Sequence, residues 1–311
     1  MSRAMSRAMS RTMSRAICCA TSPAASRARV SGAAAICLGL SVLLAACASS
    51  NPADGAAAGS ARAATTAAAG TEQPILTVLA AASLTESFGQ LARRYEAAHP
   101  GTRVVLSLGA SSTLAQQAAA GAPADVLATA SPASMEQAAQ AGVLAGAAVD
   151  FAQNRISLVV PAANRAGIHT LADLTRPGVT LARCADQVPC GAAALDVLGK
   201  AGIDVVAASR ESDVKAVLTK LTLGEVDAGF VYATDLAAAQ SAGTAGAAGT
   251  GSALVAIPLP PQLGGHTAYR IARLAAAPNP AGAQAFVALV RSAEGQGVLR
   301  AAGFEPPALA P

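Results

Sequence analysis

Ile75-Leu76-Thr77-Val78-Leu79-Ala80-Ala81-Ala82-Ser83-Leu84-Thr85-Glu86 holds the key to the architecture. Its first five residues are apolar or β-branched, the composition of a buried strand. After three alanines the period changes. Leu84, Phe88, Leu91 and Tyr95 recur at helical spacing and give residues 84–98 one apolar face. Ser83-Leu84-Thr85-Glu86 fits a capping box, with Ser83 as the cap and Glu86 as its reciprocal partner. A buried strand that turns directly into an amphipathic helix is the first half of a βαβ unit.

The pattern repeats outward from there. Val104–Leu108 reads as a strand, followed by a helix from Ser112 to Ala120 that Gly121 closes. Asp125–Ala128 is a third short strand and Ser134–Ala141 a third helix, closed by Gly142. Such βαβαβα order implies a mostly parallel sheet with helices on both faces. A second series follows: strand Ile156–Val160, short helix Leu171–Leu174, strand Val179–Ala182, helix 190–201, strand Asp204–Val206, helix 213–223 and strand Ala228–Tyr232. Residues 241–252 hold only Ala, Gly, Ser and Thr and read as a loop. Strands Leu254–Ile257 and Tyr269–Leu274 and a helix over 281–302, broken near Gly295, complete the chain. The fold class expected is α/β with two lobes, each a mixed, mostly parallel sheet flanked by helices, and a cleft between them. Residues 74–155 begin the first lobe, 156–258 form the second, and 259–311 return to complete the first. Crossovers near 153–158 and 256–270 would serve as the hinge.

The front of the chain is different. Residues 1–46 hold six arginines and no acid, with a MSRA-type repeat that places Met at 1, 5, 9 and 13. An apolar run from Val30 ends at Leu44-Ala45-Ala46-Cys47. Basic start, apolar middle and small residues at the end are a secretory leader, and the Cys at its close resembles a bacterial lipobox. Residues 1–46 are therefore expected to be a signal peptide, Cys47 the lipidated first mature residue, and 47–73 a tether of small polar residues. The protein would then sit on the outer face of the cell membrane, held by its lipid.

Of 311 residues, 53% are hydrophobic, 13% are charged and none is Trp. That is too apolar for a disordered chain. The formal net charge is +4, but six of the 22 Lys and Arg lie in the leader, so the rest carries 16 bases against 18 acids. A body with no basic excess argues against nucleic-acid binding. No Gly-x-Ser-x-Gly elbow or phosphate loop occurs, and no His stands in a motif, so no enzyme is expected. Past Cys47 only Cys184 and Cys190 remain. In an oxidising compartment they are expected to pair, closing a short loop for roughly 2 kcal/mol. A metal site is the alternative, but it would need more ligands, and His99, His169 and His266 are scattered.

Four helix starts share one kind of chemistry. They are Ala82-Ser83, Gly109-Ala110-Ser111-Ser112-Thr113, Pro189-Cys190-Gly191 and Ser212-Asp213-Val214. Each exposes free backbone N–H groups and the positive end of a helix dipole. At the carboxyl ends of parallel strands such starts converge on a crevice, where they bind an anion with no charged side chain. Asp125 reads as structural, bonding local N–H groups at a turn. Asp213 reads as a cap or a solvent-facing group.

These phrases resemble the molybdate-binding proteins of ABC importers. Residues 75–84, Gly109-Ala110-Ser111-Ser112-Thr113-Leu114-Ala115, Gly121-Ala122-Pro123-Ala124-Asp125-Val126, Gln187-Val188-Pro189-Cys190-Gly191 and Gly229-Phe230-Val231-Tyr232 carry the likeness, in order, over about 75–305. The resemblance implies a type II periplasmic-binding-protein fold with a tetrahedral oxyanion, molybdate or tungstate, in the cleft. It implies hydroxyl donors from Ser83, Ser111 and Tyr232 and backbone N–H donors from Cys190 and Val214. Ala110 stands where the family's longer phrase has another Ser, which leaves Ser112 as an alternative to Ser111. Cys190 stands where other members carry Ala. No cofactor is implied beyond the anion, and the partners would be an importer permease and, through the lipid, the membrane, with the protein itself a monomer. The alternatives are a binding protein for another oxyanion such as sulfate, or a surface lipoprotein with no transport role.

Overall fold

The computed structural model describes residues 74–245 and 253–308. The leader, Cys47 and the whole of the tether lie outside the described residues. No described helix is long and apolar enough to cross a membrane.

Two α/β lobes share one continuous line of strands. In the first lobe β1 (Ile75–Ala81) pairs in parallel with β2 (Arg103–Gly109) and with β3 (Val126–Thr129). The crossovers are α1 (Thr85–Ala98) and α2 (Ser111–Ala119), and α3 (Pro132–Gln140) follows β3. The apolar face of α1 works as its spacing predicts: Phe88, Leu91 and Tyr95 are buried. In the second lobe β5 (Leu181–Cys184) pairs in parallel with β6 (Ser209–Glu211) and β7 (Ala228–Tyr232), carrying α4 (Pro189–Lys200) and α5 (Val214–Leu223). Gly224 ends α5 in the left-handed region at φ 69°, which explains the Gly at that point.

The joint between the lobes is β4 (Val149–Pro161), much longer than the Ile156–Val160 read from the sequence. Its first half, residues 149–155, pairs antiparallel with β9 (His266–Arg273). Its second half pairs with β7 and with β8 (Leu254–Ile257). The strand order is β2-β1-β3-β9-β4-β7-β5-β6, with β8 also on β4. Chain order brings α6 (Ala233–Ala245) after β7, and α7 (Pro280–Arg291) and α8 (Ala293–Ala301) close the first lobe.

Three local expectations are corrected. Asp204–Val206 is no strand, and Val206 is 83% exposed; the sheet instead takes the polar edge segment Ser209–Glu211. Residues 241–245 are the end of α6 rather than loop, because an Ala-rich segment makes a helix without any apolar stripe. The C-terminal helix breaks at Ser292, which caps α8 by accepting the Gly295 N–H. Asp125 is structural, as expected, but its bonds are not local. Buried, it accepts the N–H of Thr77 at 2.7 Å and that of Asn279 at 2.6 Å, tying β1 to the start of α7.

Apolar packing is divided accordingly. One cluster joins α1, α7 and α8 to one face of the first sheet, and a second joins α2 and α3 to the other face. The second lobe has its own cluster, and Ala82 and Ala110 of the first lobe are packed into it. The rims of the two lobes therefore touch, and the cleft is closed.

Candidate functional site

Where the rims meet, a small pocket is lined by Ser83, Ser111 and their neighbours from the first lobe and by Cys190, Asp213, Val214 and Tyr232 from the second. Ser83, Ser111, Cys190, Val214 and Tyr232, named from the sequence, are thus brought together. All five are almost wholly buried. Ser112 is not among the lining residues. The cavity between the rims is small.

Two of the three helices that start at the pocket lack a side-chain cap. Away from it, α3, α7 and α8 are capped by the side chains of Ser131, Asn279 and Ser292. At the pocket, α2 and α4 begin after Ala110 and Val188 with no side-chain cap. At α5 the Asp213 carboxylate accepts the N–H groups of Lys215 at 2.8 Å and Ala216 at 3.1 Å. It therefore caps, as expected, and leaves over the N–H of Val214. The first N–H groups of a helix have no partner within it. Here they line a pocket to which no Lys, Arg or His contributes.

The hydroxyls are oriented by their surroundings. Ser83 sits in a 3-10 turn, Ala82–Leu84, and does not cap α1 as its motif suggested. Its Oγ lies 2.7 Å from the Tyr269 hydroxyl instead. Thr85 takes the local role, donating to the Ala82 carbonyl at 2.6 Å. Ser111 Oγ accepts the Ala130 N–H at 2.8 Å, so its own proton is uncommitted. The buried Tyr232 hydroxyl has no aligned hydrogen-bond partner among the described residues, and its ring stands edge-on to Tyr269 at 6.0 Å. Burial, then the nearby Tyr269 and Asp235, push the Tyr232 phenol well above its usual range, so it stays protonated.

Cys184 and Cys190 are joined, Cα to Cα 5.7 Å, which settles the choice between disulfide and metal. Among the described residues no three His, Cys, Asp or Glu are grouped to hold a metal ion.

Sequence patterns gave no sign of several groups around the site. Lys215 Nζ reaches Glu86 of the first lobe at 2.7 Å and Asp235 of the second at 2.8 Å. Burial alone would lower the Lys215 ammonium, but the Asp235 and Glu86 carboxylates outweigh it and raise it. Burial pushes the Asp235 carboxyl up to about 6 despite Lys215. Asn154 of β4 and Tyr269 of β9 stand behind Ser83, and Thr234 of α6 behind Asn154. None carries a local signal: Ser83 and Tyr269 are 186 residues apart and meet only through the fold.

The profile of the bacterial extracellular solute-binding proteins matches residues 76–305, almost the whole described body. The chain belongs to this family. The molybdate-binding protein ModA of Mycobacterium tuberculosis H37Rv is 38% identical over 232 residues, which is 75% of this chain and 85% of that protein. Two solved structures share the fold of this solute-binding protein. The periplasmic molybdate-binding protein of Azotobacter vinelandii has a TM-score of 0.62 at 22% identity, covering 75% of this chain and all of that one. The sulfate-binding protein SubI of M. tuberculosis has a TM-score of 0.63 at 19% identity, covering 75% and 87%. Fold alone thus does not separate the two anions.

Proposed function

We propose that this solute-binding protein captures molybdate or tungstate outside the membrane and delivers it to the permease of an ABC importer. The observation that carries the reading is the pocket's lining: the uncapped starts of α2 and α4, the start of α5 at Val214, and the hydroxyls of Ser83, Ser111 and Tyr232, converging with no basic side chain. A dianion entering a closed cleft loses its hydration, and fixed N–H and O–H donors replace it. Ser83, Ser111 and Tyr232 would donate hydroxyls, and Cys190 and Val214 backbone N–H groups. The relation to the mycobacterial ModA favours molybdate over the sulfate that SubI takes.

Donors also select. Hydrogen phosphate carries a proton that needs an acceptor; Asp213, the acid in the lining, is already engaged by the Lys215 and Ala216 N–H groups, and the remaining donors leave that proton unpaired at a cost of roughly 1–3 kcal/mol. Fully deprotonated oxyanions escape that cost, and sulfate must be refused on size. In this reading residues 74–155 with 259–311 form one lobe and 156–258 the other, swinging about the two crossovers. Cys47 carries the lipid, 47–73 is the tether, and the protein works as a monomer without catalysis or further cofactor.

Calorimetry of the mature protein with molybdate, tungstate, sulfate and phosphate tests the reading. Tight binding of the first two and no binding of phosphate is expected. Equal affinity for all, or none, overturns it. Lipid labelling should be lost in Cys47→Ser; retained labelling contradicts the anchor.

A further inference from the structure

Three charged residues stand on the segments that supply the lining. Glu86 follows Ser83 by three places, Lys215 comes directly after Val214, and Asp235 follows Tyr232 by three. Those segments therefore also carry one ion cluster, in which Lys215 Nζ lies 2.7 Å from Glu86 Oε1 and 2.8 Å from Asp235 Oδ1. Of the ion pairs among the described residues, Lys215–Glu86 alone crosses from one lobe to the other.

The two ends of the cluster are unequal. The Asp235 side chain is 0% exposed and lies in the same lobe as Lys215, on α6 against α5. Separating a buried carboxylate from its cation is costly, so Lys215 stays on Asp235 whether the lobes are apart or together. The Glu86 side chain is 45% exposed and belongs to the other lobe, so its contact exchanges readily for water. Beside it is a hollow lined by Glu86 and Gln90 of α1 and by Thr234 and Ala237 of α6, which leaves room for that end to let go. A lysine side chain loses much rotamer freedom when it is fixed. Asp235 removes that freedom before Glu86 is engaged.

We propose that Asp235 is a positioning residue for anion retention: it holds the Lys215 ammonium in place on the second lobe, so that closure of the cleft brings Glu86 onto a pre-aimed cation and the resulting clasp delays release of the guest. The inference rests on the reading of the cleft as an oxyanion site and adds what sets the time the anion is held. Asp235 does not line the pocket; it acts through Lys215. A cation already fixed gains more from its partner than a free one, because less ordering remains to be done when the two meet.

The test is a double-mutant cycle read as molybdate release, by stopped-flow tyrosine fluorescence at low salt, since the chain has no Trp. The solution is kept at about pH 7.5, where Asp235, raised to about 6, is ionised. Glu86→Gln and Asp235→Asn should each quicken release about threefold, and the double variant should release no faster than Glu86→Gln alone. High salt should speed the wild type toward the rate of the variants and leave the variants unchanged, because screening acts on the half-exposed contact. A merely structural role for Asp235 would quicken release by the same factor with Glu86 present or replaced, and at any salt concentration. That result, or no effect of Asp235→Asn, overturns the proposal. Should Asp235→Asn fail to fold, Lys215→Met removes the cation it holds and makes the same test against Glu86→Gln. Wild-type protein that binds no oxyanion defeats the oxyanion reading and the clasp with it. Wild-type protein that binds molybdate and releases it at a rate that neither salt nor these variants change defeats the clasp alone.

Discussion

On the first lobe the pocket is lined by two serine hydroxyls, Ser83 and Ser111; on the second it is lined by the starts of α4 and α5, together with Tyr232. A hydroxyl rotates, so the first lobe holds each with a neighbour: the Tyr269 hydroxyl lies 2.7 Å from Ser83 Oγ, and the Ala130 N–H donates to Ser111 Oγ. A backbone N–H is aimed by the chain itself, so the second lobe needs its helix starts held in place. There the Cys184–Cys190 bond closes the loop before α4. Gly191 lets that loop fold tightly, since a Cβ would lie 2.0 Å from the Ala185 carbonyl oxygen. The same donor chemistry is thus secured by side-chain partners on one side and by backbone geometry on the other.

That contrast is open to attack at each end. Val214→Pro, which deletes the N–H at the first helical position, should do the most damage. Proline is tolerated there, and Asp213 before it is already extended at φ −158° and ψ 176°. Molybdate affinity should fall about a hundredfold, the upper range for a hydrogen bond to a charged group. Val214→Ala keeps the N–H and should keep the affinity; if both variants bind alike by calorimetry, the backbone donor is not used.

Ser83→Ala and Ser111→Ala should each cost about tenfold in affinity. Titration of either variant with no loss would remove that hydroxyl from the site.

A weaker dependence sits in the second lobe. The Asp235 carboxyl is raised to about 6 from an ordinary 3.8, chiefly by burial. A raised acid favours the folded state when protonated, so its contribution appears as pH falls through about 6 and is lost as pH rises past it. From about pH 7.5 to 5.5 this is worth on the order of 1 kcal/mol. Thermal melts of Asp235→Asn should lack that part of the slope; an identical slope would show that another group supplies it.

The bridge between the lobes should matter least. Glu86→Gln weakens the cross-lobe contact of Lys215, and Glu86 is about half exposed. Exposed ion pairs contribute little, so molybdate release measured by stopped flow should quicken about threefold. Release unchanged at low salt would mean that the pair does not hold the cleft shut.

Much of this arrangement was legible in the residues. Strands such as Ala228–Tyr232 and helices such as α5 are stated by local period and by a closing Gly, and the five lining residues stand at strand ends and helix starts in recognisable phrases. Segments with no apolar signal were not legible. Ser209–Glu211 is a polar edge strand, and the first half of β4 mixes polar and apolar residues along a strand shared by both lobes. Ser83 shows the limit most clearly. Its local phrase is a cap, but a tyrosine from a distant strand competes for its hydroxyl and wins. Asn154, Lys215 and Asp235 were silent for the same reason, since their roles exist only between elements.

The sharpest check on a cleft that holds its anion with uncharged donors is diffraction from crystals grown with molybdate, recorded at the molybdenum absorption edge. One anomalous peak is expected in the cleft, with anion oxygens within hydrogen-bonding distance of Ser83 Oγ, Ser111 Oγ, Tyr232 Oη and the backbone N atoms of Cys190 and Val214, and no cationic side chain in contact. A peak elsewhere, or one held by lysine or arginine, would contradict it.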